Sequence, residues 1–184
     1  MALRLIPLEE LRIERFRETL DVRTFDCEDR ELNDFLTTKE VAKYEREGLG
    51  KTHLVYWQPE GKLVAYFTIS FESLRLNYLK SVKSFSIPGE IRVESIPGIK
   101  IGRLAVEKSF KRRGIGAHIL RYIAGLAIQA PAAARILFVE AYPESVEFYE
   151  NFEFIRVEHH RFKRRRTILM YFDLRRLPEW PGSA

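Results

Sequence analysis

The sequence contains one cysteine, Cys27, in 184 residues. A disulfide scaffold and a metal centre built from several thiolates are therefore excluded. Cys27 reads as a small packing residue. The four histidines, His53, His118, His159 and His160, show no ligand spacing, and no metal is expected. On a strand, His159 and His160 would face opposite sides. No apolar stretch approaches the roughly 18 residues that a membrane span needs, so no membrane association is expected. The first ten residues carry charges where a secretory signal needs an apolar run, so a cytoplasmic location is expected. Low-complexity segments, internal repeats and long linkers are also missing.

What is present fits one domain over residues 1–184, with a peripheral tail after about residue 175. Hydrophobic residues make up 46% of the chain, enough to bury a substantial core. The net charge is +5, and it is uneven. Residues 1–100 carry 16 Lys/Arg against 17 Asp/Glu, whereas residues 101–184 carry 15 against 9. The basic excess sits in the C-terminal part, which hints at an anionic ligand there.

Patterning along the chain predicts mixed α and β structure. Residues 8–24 read equally as helix or strand. Asp26 and Asp29 are positioned to cap a helix starting near Arg30 and ending before Gly48. Thr52–Trp57 and Leu63–Ser70, joined by a Pro/Gly turn, read as a hairpin. Pro88-Gly89 and Pro97-Gly98 read as turns. Ile99–Val106 reads as a buried strand, and Gly114–Ala130 as a helix with Ile115, Ile119, Leu120, Ile123 and Leu126 on one stripe. Ile136–Val139, Phe154–Val157 and Ile168–Phe172 are further strands, and Ser145–Asn151 is a short helix. The strand–helix–strand unit implies one parallel pair.

One segment carries chemistry. Leu104-Ala105-Val106 ends a strand, and Lys111-Arg112-Arg113-Gly114-Ile115-Gly116-Ala117 follows and opens a helix. Glycine allows a tight turn and close approach to a ligand. The first helical N–H groups lack internal partners and sit at the positive end of the helix dipole. Together these make an anion cradle suited to a pyrophosphate. A Walker-like reading of Gly48-Leu49-Gly50-Lys51-Thr52 fails, because Glu45 holds the first glycine position and a strand follows.

These residues resemble the GNAT acetyltransferase superfamily, whose signature is Gln or Arg, two residues, Gly, one residue, then Gly or Ala. Lys111 departs from the usual Gln or Arg. The resemblance implies a mixed, mostly antiparallel α/β fold with a central parallel strand pair and flanking helices. It implies acetyl-CoA as donor, with pyrophosphate on the N–H groups from about Arg112 to Ala117. The strand at Leu104–Val106 would pair with the pantetheine arm. A second family pattern, a short helix ending in Tyr followed by Gly-Phe, reads here Ser145-Val146-Glu147-Phe148-Tyr149-Glu150-Asn151-Phe152-Glu153-Phe154. Ser145 and Phe148 belong to the expected cofactor wall. Glu153 stands where the family has Gly, so the turn there is expected to differ. Tyr149 becomes the general-acid candidate, because a phenol can protonate a departing thiolate of similar pKa. The alternative for Tyr149 is a core residue beside Phe148, Phe152 and Phe154. A backbone N–H near Leu104 or Ala105 would hold the oxyanion. Glu140, just past a strand, is the general-base or substrate-side candidate.

The segments Phe25-Asp26-Cys27, Leu32–Leu36, Gly48–Gly50 and Gly102-Arg103-Leu104-Ala105-Val106 resemble the toxin branch of the superfamily. That branch acetylates aminoacyl-tRNA. Arg161, Lys163, Arg164, Arg165 and Arg166, on a turn between the last two strands, are placed to track a phosphate backbone. Phe162 is available to stack, and Arg103 is a further phosphate contact. The branch resemblance implies an antitoxin partner and allows a homodimer. Other acceptors open at this point are a protein N-terminus, a lysine or a small polyamine. A different class is a non-catalytic nucleic-acid-binding module.

Overall fold

A computed structural model describes residues 4–80, 82–162 and 165–178. A 3-10 turn, Leu8–Glu10, leads into strand β1 (Leu11–Arg15). Helices α1 (Arg30–Thr37) and α2 (Glu40–Arg46) follow, then β2 (Lys51–Trp57) and β3 (Lys62–Arg75). A short α3 (Leu76–Leu79) precedes β4 (Ser95–Val106), a 3-10 turn (Lys108–Phe110) and α4 (Ile115–Gln129). β5 (Ile136–Ala141), α5 (Val146–Glu150), β6 (Ile155–Arg156) and β7 (Ile168–Asp173) complete the order. The strands form one sheet in the order β1-β2-β3-β4-β5-β7-β6. β4 and β5 pair in parallel, from Gly98↔Ile136 to Ile101↔Val139. The β1–β2, β2–β3, β5–β7 and β6–β7 pairs are antiparallel. The mixed sheet with a parallel pair is the one expected.

The chain divides into two compact units. One comprises Met1–Ser70 with Gly102–Tyr122, the other Phe71–Ile101 with Ile123–Ala184. The first unit has a core of Phe25, Cys27, Phe35, Leu36, Leu54 and Tyr66, among others. Tyr66 is fully buried, and its hydroxyl donates to the Leu32 carbonyl at 2.7 Å. The second unit is built on Leu79, Ile96, Ile136, Phe138, Leu169 and Tyr171. Arg135 braces it with a bidentate pair to Asp173 at 2.6 and 2.7 Å. Two charged hydrogen bonds in parallel fix the side-chain geometry more firmly than one.

Several expectations are corrected. The helix from Arg30 is capped by Asp29, whose carboxylate accepts the Leu32 N–H at 3.0 Å. It is not continuous to Gly48. Thr37 donates its hydroxyl to the Asn33 carbonyl at 2.8 Å, and Thr38 is extended and accepts the Glu40 N–H at 3.2 Å. Hydroxyls that compete for backbone groups end α1 and start α2. Pro97-Gly98 is not a turn but lies inside β4. A Cβ on Gly98 would collide with the Ile136 carbonyl, so glycine here serves strand approach. Pro97 spends its carbonyl on the Arg135 N–H at 2.8 Å. On α4, Ile115, Ile119, Leu120 and Ile123 are buried, but Ala127 rather than Leu126 completes the buried stripe. The ambiguous N-terminal stretch holds β1, and the Phe154–Val157 strand shortens to Ile155–Arg156.

Candidate active site

In the first unit, β4 delivers the chain to the glycine turn. Ala105 is buried, while Leu104 and Val106 are half-buried. The parallel register of β4 with β5 ends at Ile101, and these three residues lie beyond it. The turn takes two left-handed residues, Arg112 at φ 61° and Gly114 at φ 84°. Arg112 therefore adopts at some cost a conformation that Gly114 adopts freely. Ile115, Gly116 and Ala117 form the first turn of α4, which has no acidic residue there. A 15-residue helix preceded by a basic turn is a ready anion site.

The side chains are less free than their charge implied. Lys111 pairs with Glu28 at 2.8 Å, so its ammonium is directed away from a phosphate role. Glu28 is itself left-handed, at φ 68°. Arg113 lays its guanidinium 5.0 Å from the centre of the Phe110 ring. Its Nε is buried with no hydrogen-bond partner among the described residues. A buried donor without a partner is costly unless something completes it. An anionic ligand at the turn fits that donor. Arg112 is exposed.

Arg103, expected to meet a phosphate, is instead packed. Its side chain is 19% exposed and pairs with Glu40 at 3.7 Å. The guanidinium stacks 3.7 Å from the Phe35 ring centre and 5.2 Å from that of Tyr44. Cation–π contacts on two rings hold it rigidly. Phe35, Tyr44 and Glu40 carried no signal that would have linked them to Arg103.

In the second unit, Ser145 ends a 3-10 turn (Pro143–Ser145) and precedes α5, without a side-chain cap bond. Phe148 is half-buried and Tyr149 is 5% exposed. Tyr149 packs edge-on against Phe148 at 5.0 Å and Phe154 at 5.3 Å, whereas Phe152 touches Phe148. Burial pushes the Tyr149 hydroxyl well above the ordinary tyrosine range. The low-dielectric surroundings disfavour the phenolate, so the hydroxyl holds its proton more tightly than a free tyrosine does.

The turn after α5 keeps the glycine conformation without the glycine. Glu153 adopts φ 60°. Its N–H donates to the Glu150 carbonyl at 2.8 Å, and the Phe154 N–H donates to the Tyr149 carbonyl at 3.1 Å. This pair of bonds is a Schellman cap, with the Phe154 ring closing over Tyr149. Glu153 thus takes a left-handed conformation that glycine adopts freely, so the substitution does not prevent such a turn here.

Glu140 lies inside β5 rather than past it, opposite Leu169. It pairs with Arg165 at 2.8 Å, so two expected substrate-side residues meet each other. Arg165 also lies 5.1 Å from the Phe162 ring centre. Phe162 packs against Tyr78 and His159, on a loop between β6 and β7. Arg161 and Arg166 are exposed. Lys163 and Arg164 lie outside the described residues. Among the described residues no group of His, Cys, Asp and Glu could hold a metal, and no helix is long and apolar enough to cross a membrane. Cys27 is buried in the core, with its Sγ 3.1 Å from the Asn33 Oδ1.

Known proteins bear on this arrangement. A tRNA-acetylating toxin of Mycobacterium tuberculosis (strain ATCC 25618 / H37Rv) is 27% identical over 146 residues, covering 76% of this chain and 81% of that protein. The toxin AtaT complexed with acetyl-methionyl-tRNAfMet has a TM-score of 0.72 at 24% identity, covering 89% of this chain and 94% of that one. AtaTR bound with acetyl-CoA has a TM-score of 0.69 at 24% identity, covering 91% and 95%. The family model described as an acetyltransferase (GNAT) domain matches residues 23–170. That match sets aside the reading as a non-catalytic nucleic-acid-binding module. The glycine turn after β4 and the tyrosine on α5 thus belong to a chain that is a member of the GNAT acetyltransferase family, an N-acetyltransferase that takes its acetyl group from acetyl-CoA.

Proposed function

We propose that the acceptor is the α-amine of an aminoacyl-tRNA, and that the protein is a toxin restrained by an antitoxin. The similarity to a tRNA-acetylating toxin across 81% of that protein carries this reading. The exposed Arg161 and Arg166 on the β6–β7 loop support a polyanionic acceptor. Both substrates are found in the cytoplasm, where we place the protein. The family match runs across segments of both compact units, which supports one acetyltransferase domain.

The chemistry assigned to the chain follows from its residues. N–H groups of Arg112 to Ala117 hold the donor's pyrophosphate, and Arg113 Nε adds a donor. The β4 backbone at Leu104 to Val106 aligns the pantetheine arm, and an N–H at Leu104 or Ala105 stabilises the tetrahedral oxyanion. Ser145 and Phe148 are assigned to donor binding by the family pattern that also holds Tyr149. The amine nitrogen attacks the thioester carbonyl, and the C–S bond breaks. Tyr149 gives its hydroxyl proton to the departing sulfur, and the proton lost by the amine passes to water and restores the phenol. The burial that raises the phenol also raises a thiolate expelled beside it, so the transfer stays close to balanced. An esterified aminoacyl amine is less basic than a lysine, so more of it is neutral near pH 7. No dedicated base is then required, which agrees with Glu140 being engaged by Arg165.

The test is transfer of labelled acetyl to pools of aminoacyl-tRNA, peptide and polyamine. Label on tRNA is expected, and label confined to peptide or polyamine overturns the acceptor. Tyr149→Phe should lower kcat about 100-fold while leaving acetyl-CoA binding within about twofold. The wild-type rate should show no loss from tyrosine ionisation up to about pH 10, because the buried phenol keeps its proton there.

A further inference from the structure

We propose that residues 4–6 and His118 form a strap that orients the Gly114 amide toward the donor's pyrophosphate. The proposal rests on the reading of the Lys111–Ala117 turn as the pyrophosphate site. Ile6 is 4% exposed, far from the turn in sequence yet bonded to it twice. Its N–H donates to the Arg113 carbonyl at 2.9 Å. Its carbonyl lies 3.0 Å from His118 Nε2, on the first turn of α4. A carbonyl can only accept, so His118 carries its proton on Nε2.

Local chain chemistry sets this up. Pro7 biases Ile6 toward an extended backbone, which presents its N–H and carbonyl on the same side. Both groups therefore meet the turn together. The strap is anchored upstream by Arg4, which pairs with Glu10 at 2.8 Å. Glu10 in turn accepts the Trp57 indole N–H at 2.8 Å. Leu5 lies over the turn, its Cδ2 3.7 Å from where a Cβ on Gly114 would sit.

The consequence is geometric. The Arg113 carbonyl and the Gly114 N–H belong to one planar trans peptide and point in opposite directions. Pinning the carbonyl to Ile6 aims the N–H away from the strap, toward the mouth of the turn. This matters because glycine tolerates either orientation of that peptide, and Gly114 already sits at φ 84°. Without the strap the peptide is free to flip and present a carbonyl to an anion. Ile6 and His118 act through the turn and touch no substrate, so they are positioning residues.

The experiment measures binding of acetyl-CoA and of S-acetyl-pantetheine, which lacks the pyrophosphate, to the full chain by calorimetry. His118→Leu removes one strap bond, and His118→Gln restores a donor. Ile6→Pro removes the other bond, and Ile6→Ala removes only side-chain burial. His118→Leu and Ile6→Pro should weaken acetyl-CoA binding roughly five- to tenfold and S-acetyl-pantetheine binding less than about twofold. His118→Gln should recover most of the acetyl-CoA affinity. Equal weakening of both donors, or unchanged acetyl-CoA affinity in a folded His118→Leu protein, overturns the strap. If Ile6→Pro fails to fold, the His118 pair decides alone. Wild-type protein that binds both donors equally well overturns the pyrophosphate reading itself, and the strap with it.

Discussion

The turn at residues 111–113 and the loop at 161–166 are both strongly basic, and their charges are used differently. At the turn, Lys111 is matched by Glu28 and Arg113 is laid on Phe110. What the proposed donor's pyrophosphate would meet there is mainly backbone, shaped by Arg112 and Gly114 in left-handed conformations. On the loop, Arg165 is matched by Glu140, but Arg161 and Arg166 stand in solvent. Sequence counts cannot separate these cases. A cation with a carboxylate at hydrogen-bond distance adds little field, whereas an exposed one adds long-range attraction. On the proposed function, the turn would recognise its ligand by geometry and the loop by charge.

Gly114→Ala tests the geometric side and carries the largest expected effect. A Cβ at φ 84° is strained, so stability should fall by about 1–2 kcal/mol. Acetyl-CoA affinity should fall more than about tenfold, because the amides lose their alignment. Denaturant melts and calorimetry check both, and an unchanged affinity breaks the claim that backbone does the binding. The paired change Arg161→Gln/Arg166→Gln tests the loop. The slope of log K against log salt for tRNA should fall by about 1.4, at roughly 0.7 per phosphate contact to a single strand. Acetyl-CoA affinity should stay the same. A tRNA slope equal to wild type would remove these arginines from the acceptor path. Lys111→Gln has the smallest expected effect, with acetyl-CoA affinity changing less than about twofold. A tenfold loss would show that its charge reaches the donor despite Glu28.

The sequence made some of this legible because the signals were local. The Asp29 cap, the glycine turn and the α4 stripe each depend on neighbours within a few residues, and each sits where its pattern placed it, save that Ala127 takes the place of Leu126 on the stripe. Misreadings arose where a residue type has two physical uses. Pro97-Gly98 signals a turn, yet Gly98 clears the Ile136 carbonyl of the next strand, a contact 38 positions away in sequence. Thr37 and Thr38 read as tolerable helix residues until their hydroxyls take backbone partners. In the site, Tyr149 is singled out by its motif, and its packing among Phe148 and Phe154 is legible as the alternative, but the left-handed cap at Glu153 is not. The partners of Lys111, Arg103 and Glu140 come from distant segments, and composition holds no record of them. The same holds for Ile6, whose neighbour is His118 only after folding.

Cys27 gives the chain one further property. It is the sole thiol, it is 5% exposed, and it lies beside Glu28, the partner of Lys111. Burial pushes that thiol up, so both its chemistry and its access are suppressed in the folded protein. A thiol reagent can then act only when the corner at residues 26–28 opens. Its labelling rate is a clock on that opening, built into the native protein and read without adding a probe. Donor binding at the adjoining turn should slow the clock, which makes the cysteine a witness to events at a site it takes no part in.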